Sequence, residues 1–167
     1  MANAITHTES YITIDGNPKT LFSLISNIDN FPIWSSECVD TKWVQKESNK
    51  AGSKFIGSNR KGLIKWTTYC HITEFIIDSL FCYQVTPIPL KINTLVFTFM
   101  KPQSKWSWSI QALNNDSSQT RVSLKFELYY YTFLGKLFFG DLDSRIWEIK
   151  NSIDETLLNL KHQVEKS

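Results

Sequence analysis

The histidines and cysteines of this chain are the residues that could bind a metal ion or act as nucleophiles. His7, His71 and His162 stand alone in an amino-terminal tail, a predicted strand and the end of a predicted helix. No His-x-x-x-His or Glu-x-x-His pair occurs, and the cysteines at 38, 70 and 82 match no zinc spacing. We therefore expect no metal site and no cofactor. The cysteines are expected to be reduced, buried thiols in a cytoplasmic protein.

Covalent catalysis and phosphate binding are disfavoured by the same residues. The chain has no Gly-x-Ser-x-Gly elbow and no glycine-rich phosphate loop. Cys70 and His71 are neighbours on a predicted strand, so their side chains point to opposite faces. General acid–base chemistry is harder to exclude, since a polar side chain inside an apolar cavity can donate or accept a proton. His71 is the candidate by location, although the alternation of its strand does not decide which face is turned inward.

Aromatic residues carry the stronger signal. The chain has 6 Trp, 6 Tyr and 11 Phe, which make up 14% of its 167 residues. On two predicted strands the rings share one face with aliphatic residues, in the sets Trp106, Trp108, Ile110 and Phe81, Tyr83, Val85. Two interpretations stay open. The rings fill a solid core, or they form the rigid walls of a hollow whose few polar tips orient a ligand.

Length, composition and charge limit the classes of protein to which the chain can belong. A chain of 167 residues favours one domain spanning 1–167, and 42% hydrophobic with 20% charged residues excludes a disordered or collagen-like chain. The net charge of +2 is too balanced for a nucleic-acid surface, and no Lys or Arg lies between Trp106 and Trp108. No stretch approaches the roughly 18 apolar residues of a membrane span, and no secretion signal is visible. We expect a soluble protein.

Strand patterns follow one another at hairpin spacing. They cover 10–15, 39–46, 54–60, 63–75, 80–87, 105–113 and 121–130. Turn residues such as Lys61-Gly62 separate them. In the last strand Val122, Leu124 and Phe126 alternate with polar and charged residues, which predicts one buried face and one wet face. The patterns therefore predict an antiparallel meander.

Helical patterns lie before and after this meander. Residues 16–18 predict the cap of a short helix after the first strand, and residues 30–32 end it. Ile28, Phe31, Ile33 and Trp34 then predict a second helical turn packed under the first. From 141 to 166 there is no Gly or Pro, and apolar residues recur at steps of three and four at Leu142, Ile146, Ile149, Ile153, Leu157, Leu160 and Val164. A long amphipathic helix on a curved antiparallel sheet defines an α+β domain.

The order of these elements, together with several short motifs, resembles the START-related, polyketide cyclase/dehydrase-like proteins of the SRPBCC superfamily. The resemblance covers nearly the whole chain and rests on 18–22 with Asn30-Phe31-Pro32-Ile33-Trp34, on 52–60, on Trp66 with Cys70, on Trp106, on Thr120-Arg121-Val122 and on 157–165. It implies a helix-grip fold of about seven strands wrapped around the long helix. It also implies a deep apolar cavity that holds lipids, hormones, quinones or polyketides, and it implies no particular reaction.

The expected function is binding of a hydrophobic small molecule in that cavity, for carriage or sensing. The predicted wall residues are Trp66, Tyr83, Trp106, Trp108 and Phe126 from the strands and Leu142, Ile146 and Ile149 from the helix. The alternative is a polyketide cyclase or dehydratase that uses His71 or a cavity tyrosine as acid or base. Both interpretations require the helix to leave a space against the sheet.

One segment departs from the resemblance. Residues 89–100 are longer and more apolar than that turn requires. One interpretation is that they form an extra strand or hairpin packed against the rest of the domain. The other is that they form a lid over the cavity, or a transient membrane or dimer contact through Leu95, Phe97, Phe99 and Met100.

Overall fold

A computed structural model describes residues 3–47, 50–87, 103–113, 118–131, 136 and 140–166 of the chain. In chain order the elements are β1 (Thr6–Asp15), α1 (Pro18–Ser26), a 3-10 turn (Ile28–Asn30), α2 (Phe31–Trp34), β2 (Cys38–Gln45), β3 (Lys54–Lys61), β4 (Ile64–Ile76), β5 (Leu80–Pro87), β6 (Ser104–Ala112), β7 (Gln119–Leu128) and α3 (Leu142–Glu165). The seven-stranded antiparallel sheet and its long carboxyl-terminal helix confirm the predicted α+β, helix-grip architecture.

The sheet has the strand order β1-β7-β6-β5-β4-β3-β2. Strands β2 to β7 form the predicted meander, and β1 joins it at the far edge by pairing with β7. Irregularities in register between Cys38 and Asp40, and between Ile72 and Glu74, bend the strands locally. The bends help the sheet to curve, and all the helices described lie against one of its faces, which we call the helix-facing side.

Strand β1 is longer than its sequence pattern indicated. It begins at Thr6 rather than at residue 10, because Thr6 pairs with Leu128 and the ladder continues without interruption to Asp15 and Gln119. His7, expected in a tail, is therefore a strand residue opposite Glu127. The polar run from Thr6 carries no apolar alternation, so pairing with β7 determines its structure.

Short local signals fix the first helices. The Asn17 side chain accepts a hydrogen bond from the Lys19 amide at 2.9 Å, and Pro18 occupies the first helical turn. In α2, Phe31 and Trp34 are one helical turn apart, and both are buried. This turn therefore inserts two rings between the sheet and α3.

The long helix α3 starts at a well-formed cap and buries one stripe. The Asp141 carboxylate accepts a hydrogen bond from the Ser144 amide at 2.9 Å. The predicted stripe faces the sheet: Ile149, Ile153, Leu157 and Leu160 are buried, and Leu142, Ile146 and Val164 pack half-buried beside them. Polar contacts tie the helix to β1, since Lys161 Nζ donates to the Thr13 carbonyl at 2.9 Å.

Two of the three free cysteines lie close together on the helix-facing side. Burial raises the pKa of the Cys70 thiol to about 12 and that of the Cys38 thiol to about 11, both from an ordinary value of 9.0. The folded chain therefore keeps both thiols neutral over a pH range in which the unfolded chain ionises them.

This difference predicts a loss of stability in alkaline solution. The contribution of the two neutral thiols to the free energy of unfolding is fully present below pH 9. It is lost as the pH rises towards their folded-state pKa values of about 11 and about 12. Each thiol lowers the free energy of unfolding by about 1.4 kcal/mol per pH unit in that range. Urea unfolding at a series of pH values measures the slope. The Cys70→Ala variant should have a slope shallower by about that amount, and equal slopes would contradict the prediction.

Candidate functional site

The strand register decides which predicted wall residues share a face. Paired residues of neighbouring strands point to the same side, and the buried Cys70 marks the helix-facing side of β4. Along this side the pairs are Asn59 with Trp66, Ile72 with Tyr83, Tyr83 with Trp106, Trp106 with Phe126 and Trp108 with Leu124. All five predicted ring residues therefore belong to the helix-facing side.

Trp66 is separated from the other wall residues. Seven of the eight predicted wall residues belong to or pack against one hydrophobic cluster, and Trp66 is the exception. It lies near the β3–β4 turn, beside a groove of about 350 Å³ formed by Val39, Ser58, Asn59, Arg60, Lys65, Trp66 and Thr67.

His71 points away from the other predicted site residues. It is paired with Lys54 and Gln84 and follows Cys70 directly, so its side chain lies on the outer side of the sheet, where it is half-buried. The imidazole and the predicted wall are thus on opposite sides of β4. An acid–base role inside the protein has to come from another residue.

Phe31 is the centre of a ring cluster in the interior. Its ring lies 4.8 Å from Trp34, 5.9 Å from Phe55, 6.4 Å from Phe81 and 5.9 Å from Tyr83, measured between centroids. All four pairs meet edge to face or tilted, and aromatic rings favour such arrangements over a face-to-face stack. In this part of the interior the rings interlock, as the solid-core interpretation predicts.

The interior is less tightly closed at its other end. Further along β5 and β6, the helix-facing Tyr83, Val85 and Trp106 are half-buried, as are Leu142 and Ile146 on the first turns of α3, although Ser104 is buried. We call this region the open end and define it by Tyr83, Val85, Trp106, Leu142 and Ile146. Trp106 rests on Phe126 with centroids 4.8 Å apart. The open end therefore contains apolar side chains of both the sheet and the helix that retain accessible surface.

The described titratable groups of this interior stay neutral. Burial raises the pKa of Tyr83 well above its ordinary value, the thiols of Cys70 and Cys38 raise it further, and the neighbouring Trp108 indole lowers it. The phenol and both thiols are protonated at pH 7. They can donate hydrogen bonds to a bound molecule, but none of them is a ready proton acceptor.

Two buried indole N–H groups lie next to each other beside the ring cluster. Trp34 and Trp108 are 2% and 1% exposed, and their rings meet edge to face at 5.2 Å. The Trp108 N–H has the Tyr83 hydroxyl as its neighbouring acceptor, whereas the Trp34 Nε1 atom has no hydrogen-bond partner in the part of the chain that the structure describes. A buried donor left unpaired costs about 1–3 kcal/mol, so the Trp34 N–H is an unusual feature of an otherwise apolar interior.

An ion cluster joins the β3–β4 turn to the first half of α3. Lys61 Nζ lies 2.6 Å from a Glu148 carboxylate oxygen, and Arg145 lies 3.3 Å from Glu148 and 3.5 Å from Glu37. Burial opposes ionisation of Glu148, but the two cations outweigh it and lower the pKa of that carboxyl. These partly exposed pairs add little stability, and their main effect is to link the end of β3 to α3.

Sequence reasoning placed Phe31 and Trp34 in a helical turn but did not assign them to the site. The spacing of three residues in Phe31-Pro-Ile-Trp34 was the available signal, since it puts both rings on one face of a single turn.

The apolar segment 89–100, with Leu95, Phe97, Phe99 and Met100, lies outside the described residues. Among the helices that the structure describes, none combines the length and apolar character needed to cross a membrane.

A curved antiparallel sheet that grips a long carboxyl-terminal helix, with apolar side chains enclosed between them, defines the helix-grip class of proteins. Residues 5–165 match the family described as "Polyketide cyclase / dehydrase and lipid transport". The chain belongs to this family, which confirms the resemblance seen in the sequence. No curated protein matches the chain significantly in sequence.

Solved structures share the fold over nearly the whole chain. The Zhui aromatase/cyclase from a Streptomyces species has a TM-score of 0.71 at 10% identity, over 96% of this chain and 94% of that one. A START superfamily protein from Mycobacterium smegmatis has a TM-score of 0.58 at 10% identity, over 89% and 97%. A polyketide cyclase-like protein from Corynebacterium glutamicum has a TM-score of 0.56 at 24% identity, over 95% and 91%. At these identities the likeness is one of fold.

Proposed function

We propose that this protein binds a hydrophobic small molecule between α3 and the sheet, for carriage or sensing, without covalent chemistry. The observation that carries the proposal is the open end, where Tyr83, Val85, Trp106, Leu142 and Ile146 pack against one hydrophobic cluster and each keep accessible apolar surface. Burying apolar surface yields about 25 cal/mol per Å², so a multi-ring or acyl molecule with several hundred Å² of surface is the expected size of ligand.

Family membership supports a binding role, because the family description includes lipid transport. The neutral phenol of Tyr83 also suits a pocket that orients a ligand by donating a hydrogen bond. A polyketide cyclase or dehydratase is less well supported: His71 lies on the outer side of the sheet, and Tyr83 is a weak acid. The three free thiols are consistent with a reducing compartment such as the cytoplasm.

The proposal predicts a co-purifying ligand and saturable quenching of tryptophan emission. Native mass spectrometry of the purified protein should detect an additional mass that organic solvent removes. Titration with the neutral dye Nile red should then quench the emission to a plateau, since Trp106 lines the open end. Trp147→Phe, which alters a 67% exposed ring on the outer surface of α3, should leave the binding constant unchanged. Absence of both an added mass and a plateau would refute the proposal.

A further inference from the structure

The turn between β3 and β4 carries apolar side chains into solvent. Strand β3 ends at Lys61 and β4 begins at Ile64, so Gly62 and Leu63 form the turn itself. Leu63 is fully exposed and Ile64 is 36% exposed. A Cβ added to Gly62 would meet open space, with no atom beyond its chain neighbours within 4 Å. We call residues 60–65 the hairpin tip, and it projects two uncovered aliphatic side chains from the molecule.

Two basic side chains flank this apolar turn. Arg60 and Lys65 are directly opposite each other in the ladder and share the outer side of the sheet. Both are exposed, and among the residues that the structure describes neither has a carboxylate within 4 Å. Like charges placed opposite each other in a sheet repel. The pair therefore gains free energy from a negatively charged partner that contacts both residues.

The surrounding sequence keeps acidic groups away from the hairpin tip. No Asp or Glu occurs between Glu47 and Glu74, whereas five Lys or Arg residues do. On the neighbouring strand β2, Asp40 pairs with Ser58, which is two residues further from the turn than Arg60. The hairpin tip is thus a local positive region on a protein whose net charge is only +2.

The layering of charge and apolar surface indicates the kind of partner. Leu63 lies two ladder steps beyond the Arg60–Lys65 pair, which is about 7 Å at the usual rise of a strand. Apolar groups of segments that lie in a membrane interface enter the bilayer to roughly 5–10 Å, while their cations remain among the headgroups. A stable protein interface covers roughly 800 Å² of each partner, which a protruding two-residue turn does not offer. The arrangement therefore fits a fluid, negatively charged surface.

The base of the hairpin tip is held in place. Lys61 Nζ lies 2.6 Å from the Glu148 carboxylate, which ties the end of β3 to α3 and compensates the charge of this lysine. Arg60 and Lys65 are the cations of the hairpin tip that stay available. Since the turn is anchored to the helix, it presents Leu63 in a defined direction.

We propose that the hairpin tip docks this protein reversibly on an anionic lipid bilayer, with Leu63 and Ile64 entering the acyl boundary and Arg60 and Lys65 contacting lipid phosphates. This inference goes beyond the proposed function, because the surface lies outside the open end and its docking requires no bound ligand. One apolar turn and two cations give weak binding, so the protein exchanges between the membrane and solution.

Sedimentation with sucrose-loaded vesicles tests the proposal by measuring the partition coefficient of the protein. Vesicles of phosphatidylcholine with about 30% phosphatidylglycerol should bind the wild type about tenfold or more better than pure phosphatidylcholine vesicles do. Raising the ionic strength to about 1 M should remove most of this difference, because salt screens exposed charges.

Single substitutions locate the contact. On the anionic vesicles, Leu63→Ser should lower the partition coefficient about tenfold, since it removes the side chain that enters the bilayer. Lys65→Gln should lower it about fivefold through the loss of one cation. Two matched controls should bind like the wild type. Ile77→Ser removes a 72% exposed aliphatic side chain at the β4–β5 turn, and Lys19→Gln removes an exposed lysine of α1.

Each outcome decides for or against the bilayer as partner. Weaker binding in Leu63→Ser and Lys65→Gln with unchanged controls supports the proposal. Failure of the wild type to bind anionic vesicles, or equal binding by all variants, overturns it. If Lys65→Gln weakens binding and Leu63→Ser does not, the hairpin tip attracts anions without entering the bilayer, and a soluble acidic partner replaces the membrane. Nile red titration without vesicles tests the proposed function separately, and Leu63→Ser should bind the dye like the wild type.

Discussion

The Leu157→Ala variant is expected to unfold with a free energy about 2–5 kcal/mol lower than that of the wild type. Leu157 is 2% exposed at the middle of the stripe by which α3 contacts the sheet. Truncation removes buried methyl groups and leaves a cavity that the surrounding strands cannot fill without moving. Chemical denaturation followed by circular dichroism measures the difference.

The next residue provides the control for this experiment. Leu158 is 50% exposed on the same helix, so Leu158→Ala makes the same chemical change outside the core. We expect it to lower the free energy of unfolding by less than about 1 kcal/mol. Equal losses in the two variants would mean that α3 does not pack against the sheet in the register described.

The Ile146→Glu variant is expected to weaken binding of Nile red about tenfold or more. Ile146 is a half-buried wall residue of the open end, and a carboxylate there must either lose its hydration or keep the ligand away. Trp147→Glu adds the same charge on the same helix at a ring that is 67% exposed. Fluorescence titration of both variants, with melting temperatures recorded in parallel, measures the effect.

The comparison of these two variants separates a local effect from a general one. If Trp147→Glu weakens binding as much as Ile146→Glu, the added charge acts through the overall field and the open end is not the binding site. If Ile146→Glu binds the dye like the wild type while remaining folded, the helix does not contribute a wall. Either result would remove the structural basis of the proposed function.

Most of the fold could be predicted from local patterns in the sequence. The strand over 80–87 has the predicted ends, and the apolar steps of α3 identified the stripe that the structure buries. These elements are amphipathic, so the periodicity of their own residues reports their environment. The start of β1 was not predictable in this way, because Thr6 is held by its partner Leu128 on a strand far along the chain.

The site was less predictable, because it depends on which strand faces meet. Alternation in β4 showed that Trp66 and His71 point to opposite sides, but both sides carry mixed residues. Pairing of Ile72 with Tyr83 is what assigns the inner side. The unpaired state of the Trp34 indole N–H is likewise a property of three-dimensional packing, since it depends on the acceptors that the other described elements fail to supply.

The position of β1 at the edge beside β7 has a consequence for synthesis on the ribosome. Asp15 and Gln119 are hydrogen-bonded although they are 104 positions apart in the chain, whereas the other strands pair with sequential neighbours. At roughly 5–20 residues per second, β1 emerges some seconds before β7, its partner among the described strands, exists. During that interval Ile12 and Ile14 of the nascent chain are uncovered. The first strand is therefore the segment that a ribosome-associated chaperone would be expected to hold until the last hairpin and α3 arrive.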